Sequence, residues 1–470
     1  MNSVNTLFSK LLSPGQLGPL EVRNRVVMPA MDQNNCTEQG LITDETIAHY
    51  EARAKGGAGL LIVETSAVSY PYGATARHQP ALSNDQAIPG LRRLATAVHA
   101  HGAKIVVQIC HHGKTSGVDV SEGRPALVPS TPAPPLDPRG MMTDTTMDEL
   151  MKMATLTGGQ IPSYAEATAT QLTSIVQDFA DAAHRVQQAG FDGVEVHAAH
   201  GYLLSTFLSP AWNHRDDLYG GSLKGRTRLL TDVIVAVRHA CGPEFAVIVR
   251  LDGHEYGIEG GITIQNAAEH AQAAVDAGAD AIHVSATSSA GTGIGFTDAP
   301  IPWQPNQYEN LAKNVKNAVT VPVIAVGRIR PIDAERIITR GNADFVSMGR
   351  QVCPVQCIGL LCTKRARYGL VRASPTGLPR HVITSALHPA QRSFRARRFA
   401  KPSRGWVTSS PSADLAGLIS SMSTVRLAKC SLRLSVRTAP PQARMPAWPL
   451  PSIGFSSSAV TVSYTHLTLP

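Results

Sequence analysis

Residues 189–210 read AGFDGVEVHAAHGYLLSTFLSP. A helical period, Leu172–Ala189, runs into Gly190, and glycine fits the left-handed position that stops a helix. The chain then enters a short apolar run, Gly193–Ala198 (GVEVHA), and leaves it through a polar turn into a second helical period. Near-continuous apolar runs suit parallel strands buried on both faces. The stretch is therefore one strand–helix unit with its histidines and tyrosine at the strand's C-terminal end.

The same unit recurs in both directions. The other apolar runs are Val26–Ala30, Gly59–Thr65, Lys104–Cys110, Phe245–Leu251, Ala281–Ala286, Val321–Val326 and Asp344–Met348. Helical periods at Ile88–His101, Gly225–Ala240, Ile264–Ala277 and Ile332–Thr339 lie between them, and Gly102, Gly278 and Gly341 again precede the next run. Eight such units across residues 1–350 count out an α/β fold, the (β/α)8 TIM barrel. A doubly wound sheet is the alternative, but eight regular repeats with polar strand ends favour the barrel. The longest interruption, residues 114–171, holds PSTPAPPLDP, a predicted short helix Met147–Thr155 and GGQIPSY. A loop of that length in a barrel reads as a lid or substrate wall, with a passive surface excursion as the plain alternative.

Composition limits the rest. Hydrophobic residues make up 43% and charged residues 17%, which fits a globular chain rather than a disordered one. The N-terminal residues lack the pattern of a secretory signal, and no apolar run is long enough to span a membrane. Seven cysteines over 470 residues do not form a disulfide framework. The expected setting is cytoplasmic, with no membrane and no nucleic acid as partners. The formal charge of +8 hides an asymmetry: Asp414 is the only acid after Arg350.

Barrel active sites form at the C-terminal ends of the strands. His197 and His200 are three residues apart, and Tyr202 follows. Two imidazole N–H groups can hold and polarise a carbonyl or phenolate oxygen, and a tyrosine hydroxyl can deliver a proton. Ordinary hydrogen-bonded polar residues are the plain alternative. A zinc site lacks a third ligand at recognised spacing, so no metal is expected. Gln108, near the end of its run, offers an amide donor and acceptor suited to a heterocycle edge. Arg250 needs an anionic partner if buried; a reduced flavin would supply one, and an ion pair with Glu195 or Asp252 is the alternative. The last two runs end in Gly327-Arg328 and Gly349-Arg350, where barrel enzymes commonly hold a phosphate. The AGTGIG stretch, Ala290–Gly295, lacks the full dinucleotide fingerprint. Cys36 reads as a small buried hydrophobe.

These motifs together resemble the Old Yellow Enzyme family of NADH:flavin oxidoreductases, in the branch with 2,4-dienoyl-CoA reductases. The carriers are RNRVVMPAM, QICHHGK, GFDGVEVHAAHGYLLSTFLSPAWNHRDDLYGGSLKGRTRLL, VRLDG, PVIAVGRI and ADFVSMGR, in order across residues 7–350. The resemblance implies FMN at the barrel mouth, with NADH or NADPH as reductant and a small unsaturated carbonyl compound as substrate. Pro29, Ala30 and Met31 would lie along the flavin, Gln108 and Arg250 would contact its ring edge, and Gly327, Arg328, Gly349 and Arg350 would hold its phosphate. His197 and His200 would bind the substrate oxygen and Tyr202 would be the proton donor. The implied reaction is reduction of an activated carbon–carbon double bond in an enone or enoyl thioester. Oxidative amine or demethylating chemistry on the same barrel is the alternative within enzymes; a cofactor-free barrel aldolase or isomerase is a second. An oligomer fits the same reading. Lys114 stands where the family usually has Arg, and Asp32 and Cys36 replace commoner choices.

From about Val352 the pattern breaks down. Residues 351–470 are rich in Arg, Ser and Pro, and VSYTHLTLP at the end resembles the translation of a sequencing adapter. The expectation is a frameshift near residue 352 and a disordered, non-native tail, with a nucleic-acid-binding arm as the less favoured alternative. Cys353, Cys357 and Cys362 do not match the family's iron–sulfur spacing. A cluster and an FAD-binding domain are expected only in a full-length relative.

Overall fold

A computed structural model describes residues 7–131, 155, 158–289, 295–296 and 305–349. The eight apolar runs all become strands: β1 (Val26–Met28), β2 (Leu60–Ala67), β3 (Lys104–Cys110), β4 (Gly193–Ala198), β5 (Ala246–Tyr256), β6 (Ala281–Ser289), β7 (Val323–Ala325) and β8 (Phe345–Ser347). All are parallel neighbours in sequence order, and β8 pairs with β1, so the sheet closes on itself. It is a TIM barrel.

Seven crossover helices connect them: α1 (Asp44–Lys55), α2 (Ala87–His99), α3 (Ala169–Gln188), α4 (Leu223–Cys241), α5 (Ile264–Asp276), α6 (Glu309–Ala318) and α7 (Pro331–Thr339). Their starts follow from local chemistry. Thr43, Thr168, Ser222 and Thr263 each cap a first turn through a side-chain oxygen. Thr168 with Gln171 and Thr263 with Asn266 form reciprocal capping boxes. The glycines read as helix stops do that work: Gly190 and Gly278 have φ of 85° and 109°, a region open to glycine at little cost.

The strands' alternation sorts side chains into two environments. Val26, Leu61, Val63, Ile105, Val107, Val194 and Val196 face outward into the core under the helices. Val27, Leu60, Ile62, Val106, Ile248, Ala281, Ile324 and Phe345 fill the barrel interior. An antiparallel hairpin that the sequence pattern did not announce, Gly15–Leu17 with Leu20–Val22, joins that interior cluster through Leu17, Leu20 and Val22. It sits on Phe345: a Cβ on Gly15 would lie 2.5 Å from the ring. The N-terminal end of the barrel is thus sealed by hydrocarbon, which leaves the C-terminal end for polar groups.

The interruption after β3 is described in part. A 3-10 turn (Gly113–Thr115) and a short helix (Gly117–Ser121) lead to a two-stranded parallel pair, Ala126–Val128 with Tyr164–Glu166. The predicted helix Met147–Thr155 lies, apart from Thr155, outside the described residues. So do Arg350, the tail 351–470 with its three cysteines, and most of Ala290–Gly295. No helix among the described residues is long and apolar enough to cross a membrane.

Candidate active site

The interior face of each strand changes character toward its C-terminal end. Two residues beyond Val106 comes Gln108; beyond Gly193, Glu195 and then His197; beyond Ile248, Arg250 and then Asp252; beyond Ala281, His283 and then Ser285. All seven polar members of this set are buried, at 7% exposure or less. Charges are retained inside a protein only when paired or hydrogen-bonded, and these are.

The lower part of this polar layer is a chain. Gln108 Nε2 donates to Glu195 Oε1 at 2.7 Å, and Glu195 Oε2 is 2.7 Å from His283 Nδ1. Burial alone would raise the Glu195 pKa, but His283, Arg250 and Gln108 together hold it below the usual carboxylate range. A carboxylate only accepts, so it takes the Gln108 N–H and leaves the amide oxygen as an acceptor for an N–H of a bound group. Arg250 Nη2 reaches Ser285 Oγ at 3.4 Å.

The upper part brings the predicted trio together. His200 Nδ1 and His197 Nε2 are 3.1 Å apart. The Tyr202 ring meets His197 edge-on, with centroids 4.9 Å apart, and meets His112 at 4.6 Å. His200 is held at φ 65° in a tight turn, where the Asp252 carboxylate accepts its backbone N–H at 2.7 Å. Burial, reinforced by the charge of Arg250, pushes both imidazoles well below their ordinary pKa. They are neutral, N–H-bearing rings at pH 7. Burial, with Asp32 and Cys110, drives the Tyr202 phenol well above 10, so it keeps its proton.

Behind His200 lies an acidic group. Asp252 also accepts from Ser205 Oγ at 3.0 Å and Thr287 Oγ1 at 2.8 Å, and burial followed by Glu255 raises its pKa to about 7. Lys114, the departure from the usual arginine, is buried with its Nζ 4.5 Å from the Trp212 ring centroid. Burial lowers its pKa to about 8 against the pull of Glu255 and Asp252.

The remaining predicted residues, apart from Arg350, which lies outside the described residues, line the rim. Pro29, Ala30 and Met31 follow β1 directly. A Cβ on Gly349 would stand 2.8 Å from Met31 Sδ and 3.4 Å from Pro29 Cγ, so the end of β8 packs on the loop after β1. Gly327 takes φ 118° and Arg328 φ 51°, and a Cβ on Gly327 would stand 2.9 Å from the Tyr308 ring. Pairing of Ala325 with Val346 sets these two glycine turns at adjacent strand ends. Ser347 Oγ, buried between them in sequence, has no hydrogen-bond partner among the described residues. Close-approach backbone, an orphaned hydroxyl, a free amide oxygen and a buried guanidinium fit a phosphorylated, ring-shaped cofactor such as FMN.

Sequence reasoning passed over Ser285 and His283, and it treated Glu195 and Asp252 only as ion-pair partners for Arg250. The signal was available: on β6, Ala281, His283 and Ser285 alternate inward with the same period that singles out Arg250 on β5. No group of three or more potential metal ligands occurs among the described residues.

Residues 10–354 match the profile of the NADH:flavin oxidoreductase / NADH oxidase family. The chain is 38% identical over 351 residues to an NADH oxidase of Thermoanaerobacter brockii, covering 73% of this chain and 49% of that one. It is 33% identical over 345 residues to an NADPH dehydrogenase of Geobacillus sp. (strain WCH70), covering 73% and 90%. The first-ranked relatives are longer proteins, of which the chain spans about half. Among solved structures, a 2-naphthoyl-CoA reductase in complex with 2-naphthoyl-CoA superposes with a TM-score of 0.63 at 26% identity, covering 73% of this chain and 50% of that one.

Proposed function

The chain belongs to the NADH:flavin oxidoreductase / NADH oxidase family, the Old Yellow Enzyme group that its motifs resemble, and on that premise we propose that it uses NADH or NADPH to reduce an activated carbon–carbon double bond. The substrate class is an enone or an enoyl thioester. The observation that carries this reading is the clustering of three neutral side chains able to donate a proton, His197, His200 and Tyr202, their nitrogens and rings in contact at the C-terminal end of β4. An oxygen seated between two imidazole N–H groups is polarised by fixed dipoles in a water-poor site, where such donors are worth far more than in bulk water.

FMN, when bound, supplies the hydride; the barrel supplies orientation and electrostatics. Gln108 and Arg250 would hold the ring edge, with Pro29, Ala30 and Met31 alongside it. Gly327, Arg328, Gly349 and Arg350 would hold the phosphate. His197 and His200 hold the substrate carbonyl oxygen and stabilise the negative charge that gathers on it as the β-carbon is reduced. Tyr202 gives its proton to the α-carbon, a role its raised pKa suits, because the proton is present at neutral pH. Two proteins named as reductases stand among the structural neighbours, a 2-naphthoyl-CoA reductase and a morphinone reductase, which supports the reductive direction of the chemistry.

The test is a paired assay on the purified protein: flavin content by its absorbance, then NAD(P)H consumption with 2-cyclohexenone, with crotonyl-CoA and with secondary amines. Consumption driven by either unsaturated carbonyl compound is expected. A flavin-loaded protein that oxidises amines and leaves both unsaturated compounds untouched would overturn the proposal.

A further inference from the structure

We propose that Ser285 is a positioning residue that sets which nitrogen of His200 carries the proton, and so switches the histidine pair between a self-bonded form and an oxygen-binding form. This rests on the reading of His197 and His200 as an oxygen anchor. It concerns a hydroxyl on a neighbouring strand that neither the motifs nor that reading assigns.

The argument follows hydrogen-bond roles around the pair. The backbone N–H of Ala199 donates to His197 Nδ1 at 3.3 Å. A backbone amide cannot accept, so neutral His197 carries its proton on Nε2, the atom that faces His200. His200 has two partners: His197 at Nδ1, 3.1 Å away, and Ser285 Oγ at Nε2, 2.7 Å away. A neutral imidazole has one donor and one acceptor. If His200 accepts from His197 at Nδ1, it must donate to Ser285 at Nε2, and the two rings satisfy each other. If it accepts from Ser285 at Nε2, its proton sits on Nδ1, and two N–H groups point into the same gap.

The second form is poor when the gap is empty and suited to an oxygen with lone pairs to spare. Ser285 can support it. Its other contact, Arg250 Nη2 at 3.4 Å, can only donate, so in this form the hydroxyl's own proton has His200 Nε2 as its acceptor. Ser285 is 1% exposed, and a buried hydroxyl proton without an acceptor is costly. Both rings stay neutral because of burial and the nearby guanidinium, so the change is a tautomeric one. The proton leaving Nε2 passes to water and Nδ1 takes one from water as the oxygen ligand enters, the serine hydroxyl turns from acceptor to donor, and the net charge is unchanged. Asp252 keeps the ring in place throughout by holding the His200 backbone N–H.

The experiment is nitrogen NMR on the full chain with ¹⁵N-labelled histidine, His200 being assigned by its loss in His200→Gln, read with and without 4-nitrophenol as an oxyanion probe. The phenolate's visible absorbance gives its affinity. The free protein should show His200 protonated at Nε2, and the probe complex should show it protonated at Nδ1. Ser285→Ala should raise the probe's dissociation constant about tenfold and hold His200 in one tautomer, while Ser285→Thr restores both. If the parent binds the probe with His200 still protonated at Nε2, or if Ser285→Ala binds it as tightly as the parent, the switch is wrong although the anchor stands. If His197→Ala also binds the probe unchanged, the anchor itself is wrong.

Discussion

Asp252 Oδ2 accepts the backbone N–H of His200 at 2.7 Å, joining the inner face of β5 to the turn that follows β4. His200 has φ 65°, a conformation that non-glycine residues rarely take, and the carboxylate is what pins it there. Asp252 also takes hydroxyl protons from Ser205 and Thr287. In Asp252→Ala three buried donors lose their acceptor, each at a cost of about 1–3 kcal/mol. The variant should melt several degrees below the parent and lose affinity for carbonyl ligands. Calorimetry checks the first effect and ligand titration the second; a variant with parent-like melting would show that the contact does not hold the turn.

The same carboxylate predicts a pH dependence. Its pKa is raised from 3.8 to about 7, by burial first and by Glu255 second. The folded chain therefore binds this proton more tightly than the unfolded chain does. Stability from Asp252 is present below the unfolded value and is lost as the pH rises toward 7. Glu64, raised to about 7 by burial, acts with the same sign. Urea midpoints measured from about pH 4 to about pH 8 should fall less steeply in Asp252→Asn than in the parent. Parallel curves would mean that Asp252 keeps an ordinary pKa.

The barrel was legible in the sequence because its signal is repeated. Eight Val- and Ile-rich runs, most of them spaced by a helical period and several preceded by a glycine stop, leave little freedom in topology. His197, His200 and Tyr202 were legible because they crowd one strand end. The hairpin at Gly15–Val22 was not, since each strand has only three residues and its apolar side chains show meaning only once a barrel floor exists to receive them. Ser285 and His283 were missed for a related reason. Within AIHVSA the serine and histidine look like interruptions of an apolar run, and only strand closure brings Ser285 to His200, 85 positions earlier in the chain.

At the rim, Gly327 predicts a cofactor effect separable from stability. It needs φ 118° and has Tyr308 Cδ2 2.9 Å from where a Cβ would stand. Gly327→Ala should displace Tyr308 or the loop after β7 and lower the FMN retained per chain, read from flavin fluorescence after heat release. Gly341, at the end of α7, has φ 69° and nothing within 4 Å of its would-be Cβ. Gly341→Ala should cost about 1 kcal/mol of stability and leave flavin retention as in the parent. Equal flavin loss in both variants would mean that retention merely follows stability.

Under the proposed reaction, Tyr202→Phe separates proton delivery from binding. The phenol packs edge-on against His197 and His112, and phenylalanine keeps those ring contacts, so substrate affinity and flavin content should stay close to the parent's. Only the proton is lost, and general acid catalysis of this kind contributes about 10²–10⁴-fold. Turnover with an enone should fall within that range while KM changes little. The deficit should shrink for substrates whose α-carbon is activated by a second electron-withdrawing group, because the carbanion that forms there is longer-lived and can wait for a proton from water. Turnover that falls equally for weakly and strongly activated substrates would place the defect before proton transfer and would remove Tyr202 from the role of acid.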